Sequence, residues 1–73
     1  MGQRNNIRDN DLGEVLVELH TIGASTRVSA IHVATNTEVQ VVCPTSYTRF
    51  SMTQAALRKL RYVLGKAGAG PAK

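Results

Sequence analysis

The side chains in this sequence that could do chemistry are two histidines, one cysteine and five carboxylates. His20 and His32 are twelve positions apart, which matches no metal-ligand spacing, and Cys43 belongs to no CxxC pair. Catalysis requires such groups to converge on one point, but the strand pattern described below places the two histidines on opposite faces of a sheet. We therefore predict no catalytic residue, no metal site and no cofactor, and we expect that the protein is not an enzyme.

Residues 65–70 (GKAGAG) have the composition of a phosphate-binding loop. In a P-loop the glycines precede the lysine, and the loop joins a strand to a helix. Here the glycines follow a predicted helix, so the context excludes a P-loop. Cys43, which precedes Pro44, is interpreted as a half-buried cysteine at a strand end, and a single thiol indicates a reducing, cytoplasmic location.

Three segments are predicted to form the strands that position the histidines and the cysteine. Residues 13–20 alternate between apolar and polar side chains, which predicts a strand with one buried face. Residues 27–33 and 38–43 are rich in β-branched side chains and predict two more strands. Turn residues separate the strands, with Asn36 best able to adopt a positive φ, and Pro44 ends the third. Two short loops indicate an antiparallel meander.

Beyond Pro44 the hydrophobic period becomes that of a helix. The apolar stripe consists of Phe50, Ala56, Leu57, Leu60, Val63 and Leu64. Ser51 and Gln54 have the form of a capping box, which starts a helix of about fourteen residues that Gly65 or Gly68 can end. The predicted fold class is α+β: a three-stranded antiparallel meander with one C-terminal helix packed on one face (βββα).

The expected organisation is a single folded domain over residues 13–66. Residues 1–12 are polar and lack periodicity, which predicts a flexible N-terminal arm, and residues 67–73 (AGAGPAK) predict a disordered tail. No segment has the apolar length of a signal peptide or a membrane span, so we expect a soluble, cytoplasmic protein.

The turn positions predict two strand registers, with Val17 opposite His32 in the first hairpin and Ala30 opposite Val41 in the second. These registers determine which residues share a face of the sheet. The face expected to receive the helix consists of Val15, Val17, Leu19, Val28, Ala30, Val39 and Val41. The reverse face presents four aliphatic residues, Leu16, Ile31, Val33 and Val42, among charged neighbours. A chain of 73 residues builds only a thin core. We therefore predict that these four residues mediate self-association, as a homodimer through the face or edge of the sheet. The alternative is that scattered aliphatics on a small domain are simply tolerated.

The basic residues are concentrated in the predicted helix: Arg58, Lys59, Arg61 and Lys66. They are expected to contact an acidic protein partner or, as an alternative, nucleic acid. A third interpretation is a solvated face whose last cations complement the helix dipole. Because no aromatic residue lies in the predicted sheet, a platform that stacks RNA bases is disfavoured.

Three segments carry a resemblance to a known family: LGEVLVELHTIG (12–23), VSAIHVATNTEVQVVCP (28–44) and ALRKLRYVL (56–64). They resemble very short proteins of unknown function found chiefly in α-proteobacteria, in which a GEV strand start, a V-x-A-I-x-x-x-T-x-x-E-V hairpin and a K-L-x-x-x-L helix recur. His32 and Asn36 stand where that family commonly has Asp and Gly. The resemblance implies a small cytoplasmic protein and assigns no catalytic or ligand-binding residue.

Overall fold

The computed structural model describes residues 2–66, which form four β-strands followed by one α-helix. The strands are β1 (Gly2–Asp9), β2 (Gly13–Ile22), β3 (Ser25–His32) and β4 (Thr37–Pro44), and the helix is α1 (Arg49–Leu64). Each strand pairs antiparallel with the next, so the sheet order is β1-β2-β3-β4. The α+β class, the antiparallel sheet and the C-terminal helix are confirmed. The predicted tail, residues 67–73, lies outside the described residues.

The prediction of three strands is wrong, because the segment expected to be a flexible arm contains β1. Asp9 reverses the chain after this strand: its Oδ1 accepts hydrogen bonds from the backbone N–H groups of Asp11 (2.8 Å) and Leu12 (3.1 Å). Gly13, at φ 79°, then starts β2 with a backbone conformation that disfavours other residues. Without β1, the backbone groups on that edge of β2 would lack ladder partners. Backbone pairing therefore recruits a polar segment that has no apolar alternation.

The two turns of the predicted meander are present. Gly23, at φ 62°, occupies the first position of a two-residue loop between β2 and β3. Asn36, at φ 57°, lies in the loop between β3 and β4, which confirms the positive φ predicted for it.

The strand registers differ from the predicted ones by two residues. Val15, and not the predicted Val17, lies opposite His32. Similarly, Ala30 pairs with Val39 and not with Val41. A shift of two residues keeps every side chain on its expected face, because the side-chain period of a strand is two.

The core lies between one face of the sheet and α1. Its buried members are Val15, Val17, Leu19, Val28, Ala30, Val39 and Cys43 from the sheet, and Met52, Ala56, Leu57 and Leu60 from the helix. The predicted helix-facing set is thus confirmed, with Val41 partly buried at the margin. Phe50 corrects the predicted stripe, because it is 72% exposed while Met52 is buried.

The helix starts three residues earlier than the capping box predicted. Thr48 is the N-cap, and its side chain accepts a hydrogen bond from the backbone N–H of Ser51 (3.0 Å). Ser51 itself lies within the first turn of α1. Gly65 follows the helix with right-handed backbone (φ −65°), so it does not form the left-handed C-terminal cap that glycine often provides.

Within residues 2–66, α1 is too short and too polar to cross a membrane.

Candidate functional site

The face of the sheet opposite α1, here called the open face, carries the residues predicted to mediate self-association. Leu16 and Ile31 are direct cross-strand partners, and both are half-buried. Val33 follows β3, and its N–H donates to the Glu14 carbonyl (3.2 Å), which holds it beside β2. No other element of residues 2–66 packs over this face. Leu16, Ile31 and Val33 therefore form one aliphatic cluster near the end of the sheet at which β2 begins.

Val42 lies apart from that cluster. It pairs with Arg27 and is 70% exposed, whereas the β4 residue in the row of Leu16 and Ile31 is Glu38. A polar row crosses the sheet between the two positions, formed by Arg4, Glu18, Ser29 and Gln40. Arg4 and Glu18 form an ion pair at 2.8 Å within this row. The structure thus brings together three of the four predicted residues and separates Val42 from them.

Two of the four basic residues predicted to contact a partner make contacts within the chain. Lys59 donates from Nζ to the backbone carbonyl of Gln40 on β4 (3.0 Å). Arg61 donates to the Asp9 carboxylate at 2.5 Å, and Asp11 lies 4.0 Å away. These contacts connect α1 to β1 and β4, the two edge strands of the sheet. They give Lys59 and Arg61 a structural role.

The other two basic residues flank an aromatic side chain on the outer surface of the helix. Arg58 and Tyr62 are four residues apart on α1, and Lys66 follows Tyr62 by four residues in the turn just after the helix, so the three side chains form one line. All three are exposed, Tyr62 by 65%, and the Lys66 Nζ lies 5.5 Å from the centre of the Tyr62 ring. We call this line the outer stripe. The sequence analysis did not identify Tyr62 as a candidate functional residue, although its spacing of four residues from both Arg58 and Lys66 can be seen in the sequence.

The Asp9 carboxylate accepts hydrogen bonds from two backbone N–H groups and from an arginine. Its carboxyl pKa lies below the ordinary value of 3.8, chiefly because the backbone N–H of Asp11 donates to it. The N–H of Leu12 and the charge of Arg61 lower the pKa further, while partial desolvation raises it. The carboxylate therefore links the β1–β2 turn to the helix. Arg49 makes a second link, since its guanidinium donates to the Gln3 side chain near the start of β1.

The two histidines and the cysteine lie in three different places on the sheet. His20 lies exposed on the open face, opposite Arg27. His32 lies on the helix-facing side, where Nε2 donates to the Leu12 carbonyl (2.8 Å) and Nδ1 is 2.7 Å from the Thr35 hydroxyl. Cys43 is buried in the core, towards the end of β4 that is distant from His32. Among the described residues, no three His, Cys, Asp or Glu side chains are placed to hold a metal ion.

Comparison with curated proteins and with solved structures found no significant match. A family model described as "Domain of unknown function (DUF6898)" matches residues 12–67. The match covers β2, β3, β4 and α1, whereas β1 precedes it. It includes both the aliphatic cluster of the open face and the outer stripe of the helix. Because the match spans more than half of the sequence, the chain belongs to this family of domains of unknown function.

Proposed function

We propose that this domain is a non-catalytic interaction module that associates with a second copy through the open face of its sheet. The observation that carries the proposal is the position of Leu16 and Ile31, which are paired side by side on a face that α1 does not cover. Burying such residues against another copy adds apolar contact that one thin core cannot supply. The buried thiol of Cys43 and the resemblance to short α-proteobacterial proteins support a cytoplasmic location.

Self-association is tested by measuring the mass of the full chain in solution over a range of concentrations. The double variant Ile31→Glu, Val42→Glu is expected to be a folded monomer where the wild type is a dimer. A control with the same charge change, Ser46→Glu, Tyr47→Glu, alters exposed residues of the β4–α1 loop and should dimerise normally. The idea is wrong if the wild type stays monomeric, or if the Ile31, Val42 variant keeps the dimer mass.

We also propose that the outer stripe contacts an acidic protein partner. Arg58 lies on the exposed side of α1, and Lys66 lies two residues beyond the end of the helix. Neither has an acidic neighbour among the described residues within ion-pair distance. Their charges are therefore available to a partner. Lys59 and Arg61 contribute to the positive potential of the helix but are engaged within the chain.

A second candidate function, binding of single-stranded nucleic acid, is favoured by Tyr62. An exposed ring between two cations matches a site where one base stacks and adjacent phosphates pair with Arg or Lys. A single stacking residue contributes about 1–3 kcal/mol, so binding would depend strongly on salt.

The two candidates are distinguished by one set of titrations, with a labelled single-stranded RNA and a labelled glutamate-rich peptide. Arg58→Ala, Lys66→Ala should weaken whichever ligand binds the stripe. Tyr62→Ala should weaken RNA at least about fivefold and leave the peptide unchanged, because only a base gains from stacking. Arg8→Ala, Arg27→Ala, which removes two positive charges from exposed positions on the open face, serves as the charge-matched control. Failure of both ligands to bind at low salt would refute a role for the stripe in either.

A further inference from the structure

On the open face, the charged residues of any one strand all have the same sign. On this face the charged residues are arginine on β1 (Arg4, Arg8), glutamate on β2 (Glu14, Glu18), arginine on β3 (Arg27) and glutamate on β4 (Glu38). The sign therefore alternates from one edge of the sheet to the other, in the order positive, negative, positive, negative. The face as a whole is neutral, whereas the helix side of the molecule is positive.

We propose that two copies pack their open faces together about a two-fold axis that runs parallel to the strands; this inference rests on the self-association proposed above. Rotation about that axis reverses the strand order, so β1 lies over β4 of the partner and β2 lies over β3. Each strand then faces a strand of opposite charge. An axis in the plane of the sheet but across the strands would place β1 over β1 and bring like charges together, which is unfavourable.

The same rotation keeps each side chain at its level along the strand direction. Leu16 on β2 therefore faces Ile31 of the second copy on β3, because the two residues share one row. Two such contacts occur in the dimer, since a two-fold interface repeats every contact. Sheets packed face to face lie about 10 Å apart, a distance that paired Leu and Ile side chains fill. The aliphatic cluster thus lies near the axis.

At the edges, the rotation brings Glu38 between two arginines of the second copy. Glu38 shares its row with Asn6 of β1, and Arg4 and Arg8 are the residues on either side of Asn6 on that face. Arg4 is already paired with Glu18 in its own chain. Arg8 and Glu38 are exposed, and neither has a side-chain hydrogen bond within residues 2–66. Arg8 and Glu38 are therefore the principal ionic pair between copies.

The area of the open face indicates how strongly the two copies are expected to bind each other. Four strands of about eight residues cover about 19 Å by 26 Å, or about 500 Å² on each copy. The total of about 1,000 Å² lies at the lower limit for specific interfaces. We therefore expect a dimer that dissociates readily on dilution.

Charge reversal tests this arrangement. Sedimentation of the full chain from about 10 to 500 µM is compared for the wild type, Glu38→Arg, Arg8→Glu and the double variant. Each single variant is expected to weaken dimerisation roughly tenfold, because two opposed pairs become repulsive. The double variant is expected to recover the wild-type affinity within about threefold. Arg58→Glu, on the outer stripe, is the control and should leave dimerisation unchanged.

The outcomes separate this inference from the one on which it rests. A wild type that is monomeric at every concentration refutes self-association and the arrangement together. A dimer that Ile31→Glu, Val42→Glu disrupts but that ignores charge reversal at positions 8 and 38, or that the double variant fails to restore, overturns the two-fold arrangement alone.

Discussion

His32 shows how one buried side chain joins two loops that are distant in sequence. Its Nε2 donates to the Leu12 carbonyl in the β1–β2 turn, and its Nδ1 lies within hydrogen-bond distance of Thr35 in the β3–β4 loop. The Thr35 hydroxyl contacts Thr37 in turn (2.8 Å). The His32 ring therefore connects the β1–β2 turn to the β3–β4 loop.

Replacing His32 is therefore expected to destabilise the fold without affecting any chemistry. His32→Ala should lower the free energy of unfolding by about 2 kcal/mol, since two hydrogen bonds and a buried ring are lost. Urea unfolding followed by circular dichroism, at one low protein concentration for all variants, measures this change. His20→Ala removes an exposed ring and should change stability by less than about 0.5 kcal/mol. Equal effects of the two variants would contradict a structural role specific to His32.

Asp9 predicts a dependence of stability on pH. The pKa of Asp9 in the folded chain is below 3.8, its value in the unfolded chain. The charged carboxylate therefore stabilises the fold fully at pH values above the unfolded-state pKa. This contribution is lost as the pH falls through the folded pKa. Asp9→Asn keeps an oxygen for the two backbone N–H groups but removes the charge that Arg61 contacts. The variant should be less stable than the wild type at pH 7, and the difference should vanish towards pH 2.

Urea midpoints measured from pH 7 to pH 2 provide the comparison. Asp11→Asn is the control, because the Asp11 side chain is 79% exposed and 4.0 Å from Arg61. Its stability difference should be small at every pH. A deficit in Asp9→Asn that does not change with pH would show that the charge of Asp9 plays no part.

Among the elements, β2, β3 and β4 could be predicted because their burial is written into local alternation. Leu16 was assigned correctly to the open face even though it interrupts the polar positions of its strand. Strand β1 could not be predicted in the same way, since Gln3 and Asn5 are polar on the face that other strands use for the core. The contacts that hold it, Arg49 with Gln3 and Arg61 with Asp9, join residues far apart in sequence.

The start of α1 was displaced for a local reason. Ser51 and Gln54 have the spacing of a capping box, but Thr48 offers the same side-chain chemistry one turn earlier and is the residue that caps the helix. The helix thereby gains three residues over the predicted start. For the candidate surfaces, periodicity was enough to predict which residues share a face. The contacts of Lys59 and Arg61 within the chain could not be predicted, because they join residues far apart in sequence.

Thr48→Ala should lower the free energy of unfolding by about 1 kcal/mol, because the N–H of Ser51 loses its acceptor. Thr48→Ser should retain most of the stability. Ser51→Ala, the residue that the capping-box pattern favoured, is expected to cost less than about 0.5 kcal/mol. Chemical unfolding of the three variants side by side decides the question, and a larger loss for Ser51→Ala than for Thr48→Ala would move the cap back to Ser51.

For the whole molecule, the two edges of the sheet are protected in different ways. Strand β1 has charged and amide side chains along its length, while β4 ends at Pro44, which has no N–H to donate. Lys59 adds to this protection by occupying the outward carbonyl of Gln40. These features disfavour association by strand pairing, which is consistent with the proposal that a second copy binds to the open face.

Lys59→Ala should therefore increase association through the sheet edge, because the Gln40 carbonyl on β4 becomes a free acceptor. Light scattering near 1 mM, with a fluorescent probe for β-rich aggregates, reports the effect; that concentration is of the order at which exposed edges pair. Lys66→Ala removes the same charge away from the edge and should behave as the wild type. Equal behaviour of the two variants would exclude a protective role for Lys59.

The position of the helix in the chain also bears on how the protein is made. Leu57 and Leu60 complete a core whose other half comes from strands synthesised earlier. A nascent chain that ends before α1 contains the complete sheet, yet it leaves Val15, Val17 and Val28 facing water. Such a product would be open to proteolysis and aggregation, because cellular proteases act on unfolded segments and exposed apolar surface. A chain translated through α1 can bury these residues, so the core is complete only once the helix has been synthesised.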